Sequence, residues 1–314
     1  MMKTENNLEF LVHYIFPPTV LIFGLVGNLL GIYIMLRRRH FPSRFMFVNL
    51  FIFDSIYLIN LLVNYLEVSF GVTITISSSM SCKIQNYFSY SLATISPMIL
   101  AFISCERFFE IKYPVKELSF GKRKIQIIYL GVILFFNILF YLPFPILVDK
   151  FSIRDEAHHY VMCSFINSIL VTVLSYMDLI NRVVVPFLLM LICSVSLLVS
   201  LRSNRVLNNR NLVITSVTLN LVNILLTVPI LLHSFFSISE FSFTLTLYIF
   251  YVSYAINFYI LVLTDSLIRS QLLILLKLKT SNDQDYQISY TQIQYIPSEL
   301  STEIMEISEN QIRY

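Results

Sequence analysis

The sequence predicts an all-α membrane protein, a seven-transmembrane helix bundle followed by a short amphipathic helix on the inner membrane surface. The first observation is composition, since 56% of the 314 residues are apolar and only 13% are charged. Soluble domains carry about 25% charged residues, so this chain cannot cover its apolar surface in water. The second is that the charges are concentrated between stretches long enough to span a bilayer. The composition therefore excludes a soluble enzyme, a nucleic-acid-binding protein and a disordered scaffold.

Seven stretches of the sequence have the roughly 20 residues that a helix needs to cross a membrane. They cover about residues 14–36, 45–66, 84–104, 125–148 and 171–201, with two more between 211 and 264. Glu240, the only charged residue between Asn211 and Thr264, marks the short loop that separates the last two. The first stretch stops at three consecutive arginines, and the second contains a single carboxylate, Asp54.

The distribution of basic residues predicts the orientation of the spans. When the loops are assigned alternately to the two sides, 17 of the 22 Lys and Arg residues fall on one side and five on the other. Cytoplasmic loops carry the excess of basic residues in membrane proteins. We therefore expect the N-terminus outside and the C-terminus in the cytoplasm.

Little of the chain lies outside the bundle. We expect an extracellular N-terminus over residues 1–12 and a seven-helix domain over residues 13–279. That domain ends with an apolar stretch, residues 270–279, whose terminal lysines are typical of a helix on the inner membrane surface. Residues 280–314 are polar and rich in Ser, Thr, Tyr and Glu, which predicts a disordered cytoplasmic tail. None of these parts is large enough for a catalytic domain, so we do not expect an enzyme.

The four cysteines divide between the two sides of the membrane. Cys82 lies at the outer start of the third stretch and Cys163 in the long outer loop, where an oxidising environment allows a disulfide to persist. Such a bond would hold the loop over the mouth of the bundle, and two free thiols are the alternative. Cys105 and Cys193, in or near the inner halves of the third and fifth stretches, are expected to be buried reduced thiols.

Asp54 is an ionisable residue expected near the membrane midplane. It follows Arg44 by ten residues, about 15 Å along a helix. Ionisable groups are costly at that depth, so they are usually paired with other polar groups and often mark a functional site. Several spans offer amides and hydroxyls as partners: Asn28, Asn49, Ser96, Ser253 and Asn257. Three interpretations remain open: a hydrated pocket for a small cation such as sodium, a protonated carboxyl held by hydrogen bonds, or a structural polar network.

Asp178 and Arg182 are the second polar feature inside the membrane, one helical turn apart. The acid precedes the base, which is the more favourable order for a pair at this spacing. Arg182 precedes Leu201 by 19 residues, about 28 Å of helix, so we expect the pair near the outer boundary. It is either a self-contained interfacial pair whose arginine reaches outward or part of an outward-facing ligand vestibule.

The inner end of the third stretch carries a family resemblance. Glu106, Arg107 and Phe108 resemble the Asp-Arg-Tyr motif of rhodopsin-like (class A) G-protein-coupled receptors. Cys82 precedes Arg107 by 25 residues, the interval in that family, which corresponds to about 37 Å of helix. The resemblance extends over about residues 10–280.

Other segments add to the resemblance and also depart from it. Asn49 and Leu50 with Asp54 resemble the second-span motif Asn-Leu-x-x-x-Asp, and residues 257–261 resemble the Asn-Pro-x-x-Tyr segment of the seventh span. In that segment, phenylalanine replaces the proline and leucine replaces the tyrosine. The pair Asn-Phe is similar to a variant among invertebrate FMRFamide-type peptide receptors. The chain is therefore identified as a divergent member of the class.

The resemblance implies a plasma-membrane receptor that binds a peptide or a small molecule and couples to a heterotrimeric G protein, with arrestin and membrane lipid as further partners. The implied coupling and switch residues are Glu106, Arg107, Phe108 and Asn257. The implied ligand pocket contains Ser89, Asp178, Arg182 and His233, with Glu67 and Glu240 at its rim. The implied sodium site, the only cofactor site expected, consists of Asp54, Asn28, Ser96, Ser253 and Asn257. Ser89 stands where amine receptors carry an aspartate, so we do not expect an amine ligand.

The motif at Arg107 also implies a resting state. Asn209 stands near the position where some members carry an acid that holds this arginine, so Glu106 alone is expected to hold it. Two other functions remain open. A seven-span transporter or channel would use Asp54 as an ion or proton relay, and a non-signalling decoy or scaffold receptor would tolerate the departures in the last two spans.

Overall fold

Seven helices of membrane-spanning length form the fold of this protein. The structure is a computed structural model that describes residues 10–38, 43–112, 123–154, 159–165, 168–201, 210–235 and 240–278. Within these residues the seven apolar helices, called the first to seventh spans below, are Leu11–Arg37, Arg44–Glu67, Ser79–Glu110, Arg123–Leu147, Thr172–Val199, Val213–His233 and Ser242–Thr264. The predicted seven-transmembrane helix bundle is confirmed. Residues 1–9 of the predicted N-terminus, Asn209 and the predicted tail lie outside the described residues.

The helical segments extend slightly beyond the spans. The α-helices are Phe16–Arg37, Arg44–Phe70, Ser79–Lys112, Arg123–Tyr141, Pro143–Leu147, Ser168–Leu179, Val185–Leu201, Arg210–Phe235, Glu240–Thr264 and Ser266–Leu275. The structure also contains two π-helical turns. Leu11–Ile15 precedes the helix Phe16–Arg37, and Ile180–Val184 interrupts the fifth span. The second ends two residues before Pro186, whose ring nitrogen has no proton to donate to the preceding turn. A π-helical turn at this point changes the hydrogen-bond pattern of the helix and so accommodates the missing bond.

The third span is the centre of the bundle, since it packs against the second, fourth, fifth and sixth spans. The seventh span packs against the first, second and sixth. Outward-facing side chains such as Ile128, Phe136 and Leu225 are large, apolar and more than 60% exposed. Buried positions include Asp54, Asn28 and other polar residues. Polar groups that face the bundle interior behind an apolar surface are the pattern of a membrane protein.

Glycines bring the first span close to its neighbours. A Cβ atom at Gly27 would lie 2.7 Å from the Tyr259 ring of the seventh span, and one at Gly31 would lie 2.7 Å from the Phe51 ring of the second. Real Cβ atoms do not approach so closely, so these two positions accept only glycine without a shift of the rings. Small residues at such contacts let membrane helices pack by close approach of their backbones.

The third span is longer than predicted. The prediction ended it near residue 104, where the charge-poor stretch stops before Glu106 and Arg107. The structure continues the helix to Lys112 and leaves Glu106 fully buried and Arg107 only 3% exposed. Charged residues do not end a helix when neighbouring helices cover and pair them.

The predicted long outer loop contains a β-hairpin that the sequence pattern did not reveal. Strand β1, Val148–Arg154, pairs antiparallel with strand β2, His159–Phe165. Cys163 of β2 is joined to Cys82 at the start of the third span by a disulfide, with Cα atoms 5.8 Å apart. The predicted disulfide is therefore present, and it anchors β2 to the third span. We call this end of the bundle the disulfide end and the opposite one the Arg107 end.

A short helix, Ser266–Leu275, follows the seventh span and belongs to a separate unit of the chain that begins at Asp265. It begins four residues earlier than the predicted apolar stretch. The reason is Asp265, whose side chain accepts the backbone N–H groups of Leu267 at 2.8 Å and Ile268 at 3.1 Å. This arrangement is an N-cap, which satisfies donors that the first helical turn leaves unpaired.

Candidate functional site

A buried carboxylate in the second span joins four spans. Asp54 is fully buried, and its two oxygens accept hydrogen bonds from Ser96 of the third span and Asn257 of the seventh. Asn257 Nδ2 lies 2.9 Å from Asp54 Oδ2, and Asn257 Oδ1 accepts a 3.0 Å bond from Asn223 Nδ2 of the sixth span. Polar side chains at this depth need such partners because no water replaces a lost hydrogen bond.

Three of the predicted partners of Asp54 are hydrogen-bonded elsewhere: Asn28, Asn49 and Ser253. Ser253 donates its hydroxyl to the Phe250 carbonyl of its own helix at 2.7 Å and forms no hydrogen bond with Asp54 among the described residues. Asn28 donates its side-chain amide to the Tyr254 carbonyl at 3.2 Å. Its Oδ1 atom is buried and has no hydrogen-bond partner among the described residues. Asn28 therefore retains a free acceptor in the interior.

Two asparagines of the sixth span were absent from the predicted site. Asn223 bonds Asn257 as described above, and Asn220 accepts a 2.8 Å bond from Ser104 of the third span. Asn220 also donates a 2.8 Å bond to Ser194 of the fifth span. The two residues lie three positions apart in an apolar helix and therefore share a face. That spacing was the signal in the sequence, and it identifies the face that the sixth span turns inward.

Asp178 and Arg182 are the centre of a second polar cluster, nearer the disulfide end. Asp178 is 2% exposed, and its Oδ2 lies 2.9 Å from an Arg182 guanidinium nitrogen. Its Oδ1 accepts a 2.8 Å bond from the hydroxyl of Tyr141 in the fourth span. The Tyr141 oxygen also lies 2.6 Å from the hydroxyl of Thr94 in the third. The pair therefore ties the third, fourth and fifth spans together.

Arg182 points into the bundle, which does not fit the interpretation of a self-contained pair whose arginine reaches outward. Its guanidinium carbon lies 5.4 Å from the centre of the Phe250 ring in the seventh span, within range of a cation–π contact. The side chain is 16% exposed, and its Nε atom is buried without a hydrogen-bond partner among the described residues. The π-helical turn Ile180–Val184 carries this residue, so a local break in the helix sets the direction of the side chain.

An aromatic cluster lies between Arg182 and the Asp54 network. Phe250 packs edge-on against Tyr254 with ring centres 5.2 Å apart, and Tyr254 lies 4.3 Å from the Tyr57 ring of the second span. Phe250 and Tyr254 are successive turns of the seventh span, followed one turn later by the Asp54 partner Asn257. The seventh span therefore connects the two polar clusters through directly packed side chains.

Ser89 belongs to a separate group of contacts on the second-span side of the third span. Its hydroxyl exchanges hydrogen bonds with the Asn60 side chain at 3.0 and 3.2 Å. Asn60 also accepts a 2.5 Å bond from Gln85. The structure therefore does not join Ser89 to Asp178 and Arg182 by a direct hydrogen bond.

The remaining residues of the predicted pocket lie near the disulfide end of the sixth and second spans. The His233 ring is 5.1 Å from the Phe243 ring, and its Nε2 is buried without a hydrogen-bond partner among the described residues. Glu67, predicted at the rim, accepts the backbone N–H of Thr75. The side chain of Glu240 lies outside the described residues.

Arg107 is held by residues other than its predicted partner. One guanidinium nitrogen lies 2.6 Å from Glu110 and another donates a 2.7 Å bond to the hydroxyl of Ser43. Glu106 instead accepts a 2.8 Å bond from Gln126 of the fourth span. No direct ion pair joins Glu106 to Arg107 among the described residues in this conformation. Residues three apart, such as Arg107 and Glu110, share a face.

Phe108, the third residue of the motif, faces the fifth and sixth spans. It packs against Leu197 and Val213, both fully buried, and its ring lies 5.1 Å from the Lys112 amine. The three consecutive residues of the motif therefore contact three different parts of the Arg107 end.

Cys105 and Cys193 form a close pair of thiols between the third and fifth spans. Their sulfur atoms are 3.1 Å apart, and Cys105 precedes Arg107 by two residues. The two thiols are therefore neighbours, which the sequence pattern did not indicate, and Cys105 is only partly buried whereas Cys193 is buried as predicted.

This thiol pair provides a chemical test of the packing of the third and fifth spans. We expect the wild-type protein to bind one equivalent of phenylarsine oxide, a reagent that needs two adjacent thiols, as measured by the mass of the intact protein. Either Cys105→Ser or Cys193→Ser should remove the adduct. Retention of the reagent by both single variants would show that the two spans do not meet at this point.

The comparisons with known proteins agree with the geometry. A family model described as a seven-transmembrane receptor of the rhodopsin family matches residues 27–274, which is most of the chain. No curated protein matches the chain. The matched range contains both polar clusters and the Arg107 contacts.

Proposed function

Because this chain belongs to the rhodopsin family of seven-transmembrane receptors, we propose that it is a plasma-membrane receptor that transmits an extracellular signal to a heterotrimeric G protein. The observation that carries the proposal is Arg107, a nearly buried cation at the end of the third span held by Glu110 and Ser43. Its guanidinium has five donors, so it can exchange these contacts for acceptors on a partner protein.

The proposed orientation places the disulfide end outside and the Arg107 end in the cytoplasm. The excess of basic residues on the Arg107 side supports it, as does the disulfide between Cys82 and Cys163, because disulfides persist in oxidising compartments. The serine and threonine residues of the tail, outside the described residues, are the proposed contacts for arrestin.

The proposed mechanism is a shift between two populations of the bundle. A ligand that contacts Arg182 alters the packing of Phe250, and the next turns of the seventh span carry Tyr254 and Asn257. Asn257 is bonded to both Asp54 and Asn223, so a change there reaches the second and sixth spans. The favoured conformation is the one in which Arg107 leaves its present contacts for the G protein.

The proposed ligand is a peptide or a small molecule that presents an acceptor oxygen. Support comes from the Arg182 Nε atom, which is buried without a partner, because a buried donor gains most from an acceptor that fits it. The sequence Asn257-Phe258, similar to the variant of invertebrate FMRFamide-type receptors, favours a peptide.

The contact between Arg107 and Glu110 predicts the effect of removing the acid. Glu110→Gln should raise ligand-independent signalling, measured as G-protein activation per receptor at the cell surface. The pair is partly exposed, and such pairs contribute up to about 1 kcal/mol, so an increase of up to about fivefold is expected. Glu106→Gln, which keeps a group able to bond Gln126, is the matched control. An increase in the control but not in Glu110→Gln would assign the hold on Arg107 to Glu106 instead.

Asp54 and its neighbours fit the proposed sodium site in their chemistry. Hard metal cations prefer oxygen ligands, and this interior provides the Asp54 carboxylate, the Ser96 hydroxyl and the unpartnered Oδ1 of Asn28. Asn28 bonds the Tyr254 carbonyl, which lies one turn before Asn257 in the seventh span. A bound sodium ion would neutralise the buried carboxylate and favour the resting state.

The sodium proposal predicts a salt-specific effect on basal signalling. Replacing choline chloride by sodium chloride at constant ionic strength should lower nucleotide exchange by the wild type, and Asp54→Asn should remove the difference. Ser253→Ala is the matched control, because Ser253 bonds its own helix and should leave the sodium effect intact. Equal sodium effects in the wild type and Asp54→Asn would contradict the site.

The receptor proposal is tested by recruitment of G proteins in cells. The full chain is expressed with each class of Gα subunit and exposed to libraries of peptides and small molecules, while energy transfer reports Gα activation. A ligand-dependent response of at least one class supports the proposal. Ligand binding without a response from any class would indicate the decoy or scaffold alternative, and ion flux across the membrane would indicate the transporter or channel alternative.

A further inference from the structure

Cys105 of the third span and Cys193 of the fifth are two free thiols close enough to form a covalent bond. Their sulfur atoms lie 3.1 Å apart, and a disulfide joins its sulfurs at about 2.05 Å. A movement of about 1 Å therefore suffices to bring them to bonding distance, which side-chain rotation can supply. The proposed signalling mechanism uses neither thiol.

The two thiols lie within the membrane, toward the Arg107 end of the bundle. Cys105 precedes the helix end at Lys112 by seven residues, about 10 Å, and Cys193 precedes Leu201 by eight, about 12 Å. Ile192, next to Cys193, is 61% exposed on the outer face of the fifth span. A reagent can therefore reach this region from the water at the Arg107 end or from the surrounding lipid.

The two thiols differ in accessibility. Cys105 is only partly buried, whereas Cys193 is 6% exposed. In an oxidisable thiol pair, an accessible cysteine meets the oxidant and a neighbouring cysteine resolves the product. The difference in exposure therefore assigns Cys105 as the attacking thiol and Cys193 as the resolving thiol. Because the two sulfur atoms are already in contact, the resolving step is favoured by proximity.

The location of the thiols favours a bond that forms and is removed again. The disulfide between Cys82 and Cys163 lies at the opposite end of the bundle, the proposed outer side, where oxidising conditions preserve it. Thiols near the cytoplasm are kept reduced, so a disulfide that forms there is usually transient and serves catalysis or redox sensing. A bond between the two buried thiols would belong to this second class.

We propose that Cys105 and Cys193 are an oxidation site for hydroperoxides, at which they form a reversible disulfide between the third and fifth spans. The Cys105 sulfur attacks the hydroxyl oxygen of the hydroperoxide, an S–O bond forms, and the O–O bond breaks. The remaining oxygen leaves with the thiol proton, as an alcohol from an organic hydroperoxide or as water from hydrogen peroxide. The Cys193 sulfur then attacks the Cys105 sulfenic acid, the S–S bond forms, and the hydroxyl leaves with the Cys193 proton as water. The two thiols lose two electrons, which reduce the O–O bond.

The disulfide would join the third span to the fifth beside the contacts of the Arg107 end. Cys105 precedes Arg107 by two residues. Phe108 packs against Leu197, which lies one turn after Cys193. Formation of the bond does not depend on coupling to a G protein, so its test is separate from that of the receptor proposal.

Oxidation of the full chain in lipid nanodiscs tests the site. One sample receives hydrogen peroxide in the buffer, and another contains a phospholipid hydroperoxide in the bilayer. Free thiols are then alkylated in denaturant, and peptide mass spectrometry locates the disulfides. We expect at least one oxidant to remove both free thiols and to link the Cys105 and Cys193 peptides of one molecule, and a reducing agent to separate them. The sample that reacts identifies the source of the hydroperoxide.

Three outcomes of this oxidation would overturn the proposal. The first is that both thiols are alkylated to the same extent as in untreated protein, whichever oxidant is used. The second is that the thiols are converted to separate sulfinic acids without a disulfide. The third is that the disulfide joins two copies of the chain, which a covalent dimer under non-reducing conditions would reveal.

Variants test the role of each thiol. In Cys193→Ser the sulfenic acid of Cys105 has no resolving partner, so dimedone, which reacts with sulfenic acids, should label Cys105. In Cys105→Ser most of this labelling should be lost, and equal labelling of Cys193 would contradict the assigned roles. The double variant Ile192→Cys with Cys193→Ser is the matched control, since it keeps two thiols but moves one by about 100° around the fifth span. It should not form the disulfide, and thermal stability confirms that each variant is folded. Disulfide formation by the control at the wild-type rate would overturn the proposal.

Discussion

Arg107→Ala is expected to abolish G-protein coupling while leaving the protein at the cell surface. The guanidinium is the one buried cation that the described structure places at the proposed cytoplasmic end of the third span, and alanine removes all of its donors. Its present contacts, Glu110 and Ser43, are few, so their loss should affect folding less than coupling. Energy-transfer sensors of Gα activation and an N-terminal surface tag measure the two properties separately.

Arg123→Ala is the matched control for this variant. Arg123 lies at the same end of the bundle, 5.9 Å from the ring of Phe45, but begins the fourth span and is exposed to solvent. It should retain most of the coupling. Normal signalling by Arg107→Ala, with the control also normal, would remove Arg107 from the proposed mechanism.

Asp178→Ala is expected to destabilise the protein strongly, because it leaves Arg182 buried beside an empty space. Removing one partner of a buried ion pair costs about 3–5 kcal/mol in other proteins, and Asp178 also accepts the Tyr141 hydroxyl. The expected result is a large fall in thermal stability in detergent and in the amount of protein at the cell surface. A thiol-reactive fluorescent dye that reports exposure of buried cysteines measures the thermal transition.

The double variant Asp178→Asn with Arg182→Met distinguishes the charge from the packing. It removes both charges, keeps a group that can bond Tyr141, and fills the space near Phe250 with an apolar chain of similar length. It should be more stable than Asp178→Ala, since removing both charges leaves neither one unpaired. If the double variant is the less stable of the two, the cost lies in packing rather than in an unpaired charge.

The sequence was a good guide to the spans because membrane-spanning helices depend on length and apolarity, which are local properties. It was a poorer guide to their ends. The prediction ended the third stretch near residue 104, where the charge-poor residues stop, whereas the helix continues with Glu106 and Arg107 covered by neighbouring spans. Whether a charge is covered depends on tertiary packing, which periodicity does not report.

The candidate site shows a similar limit. The sequence indicated which polar residues lie inside the bundle, but not the direction in which each side chain points. Asp54, Ser96 and Asn257 could be grouped from the sequence because polar residues in spans turn inward. Ser253 was grouped with them, but it bonds its own helix, and Asn223 takes the position beside Asn257 instead. The inward turn of Arg182 depends on a π-helical turn, which a regular helical pattern does not predict. The β-hairpin was missed because strand pairing joins separate segments of the chain and leaves no helix-like repeating pattern in the sequence.

The central claim, that this chain is a receptor that activates G proteins through Arg107, is tested most directly by nucleotide exchange with purified components. The full chain is placed in lipid nanodiscs with a heterotrimeric G protein, and release of a fluorescent guanine nucleotide is followed with each Gα class and an activating ligand from the cell screen. The account predicts faster release than with empty nanodiscs for at least one class, and a return to the empty-nanodisc rate with Arg107→Ala. A wild-type rate equal to that of empty nanodiscs for every class would contradict it.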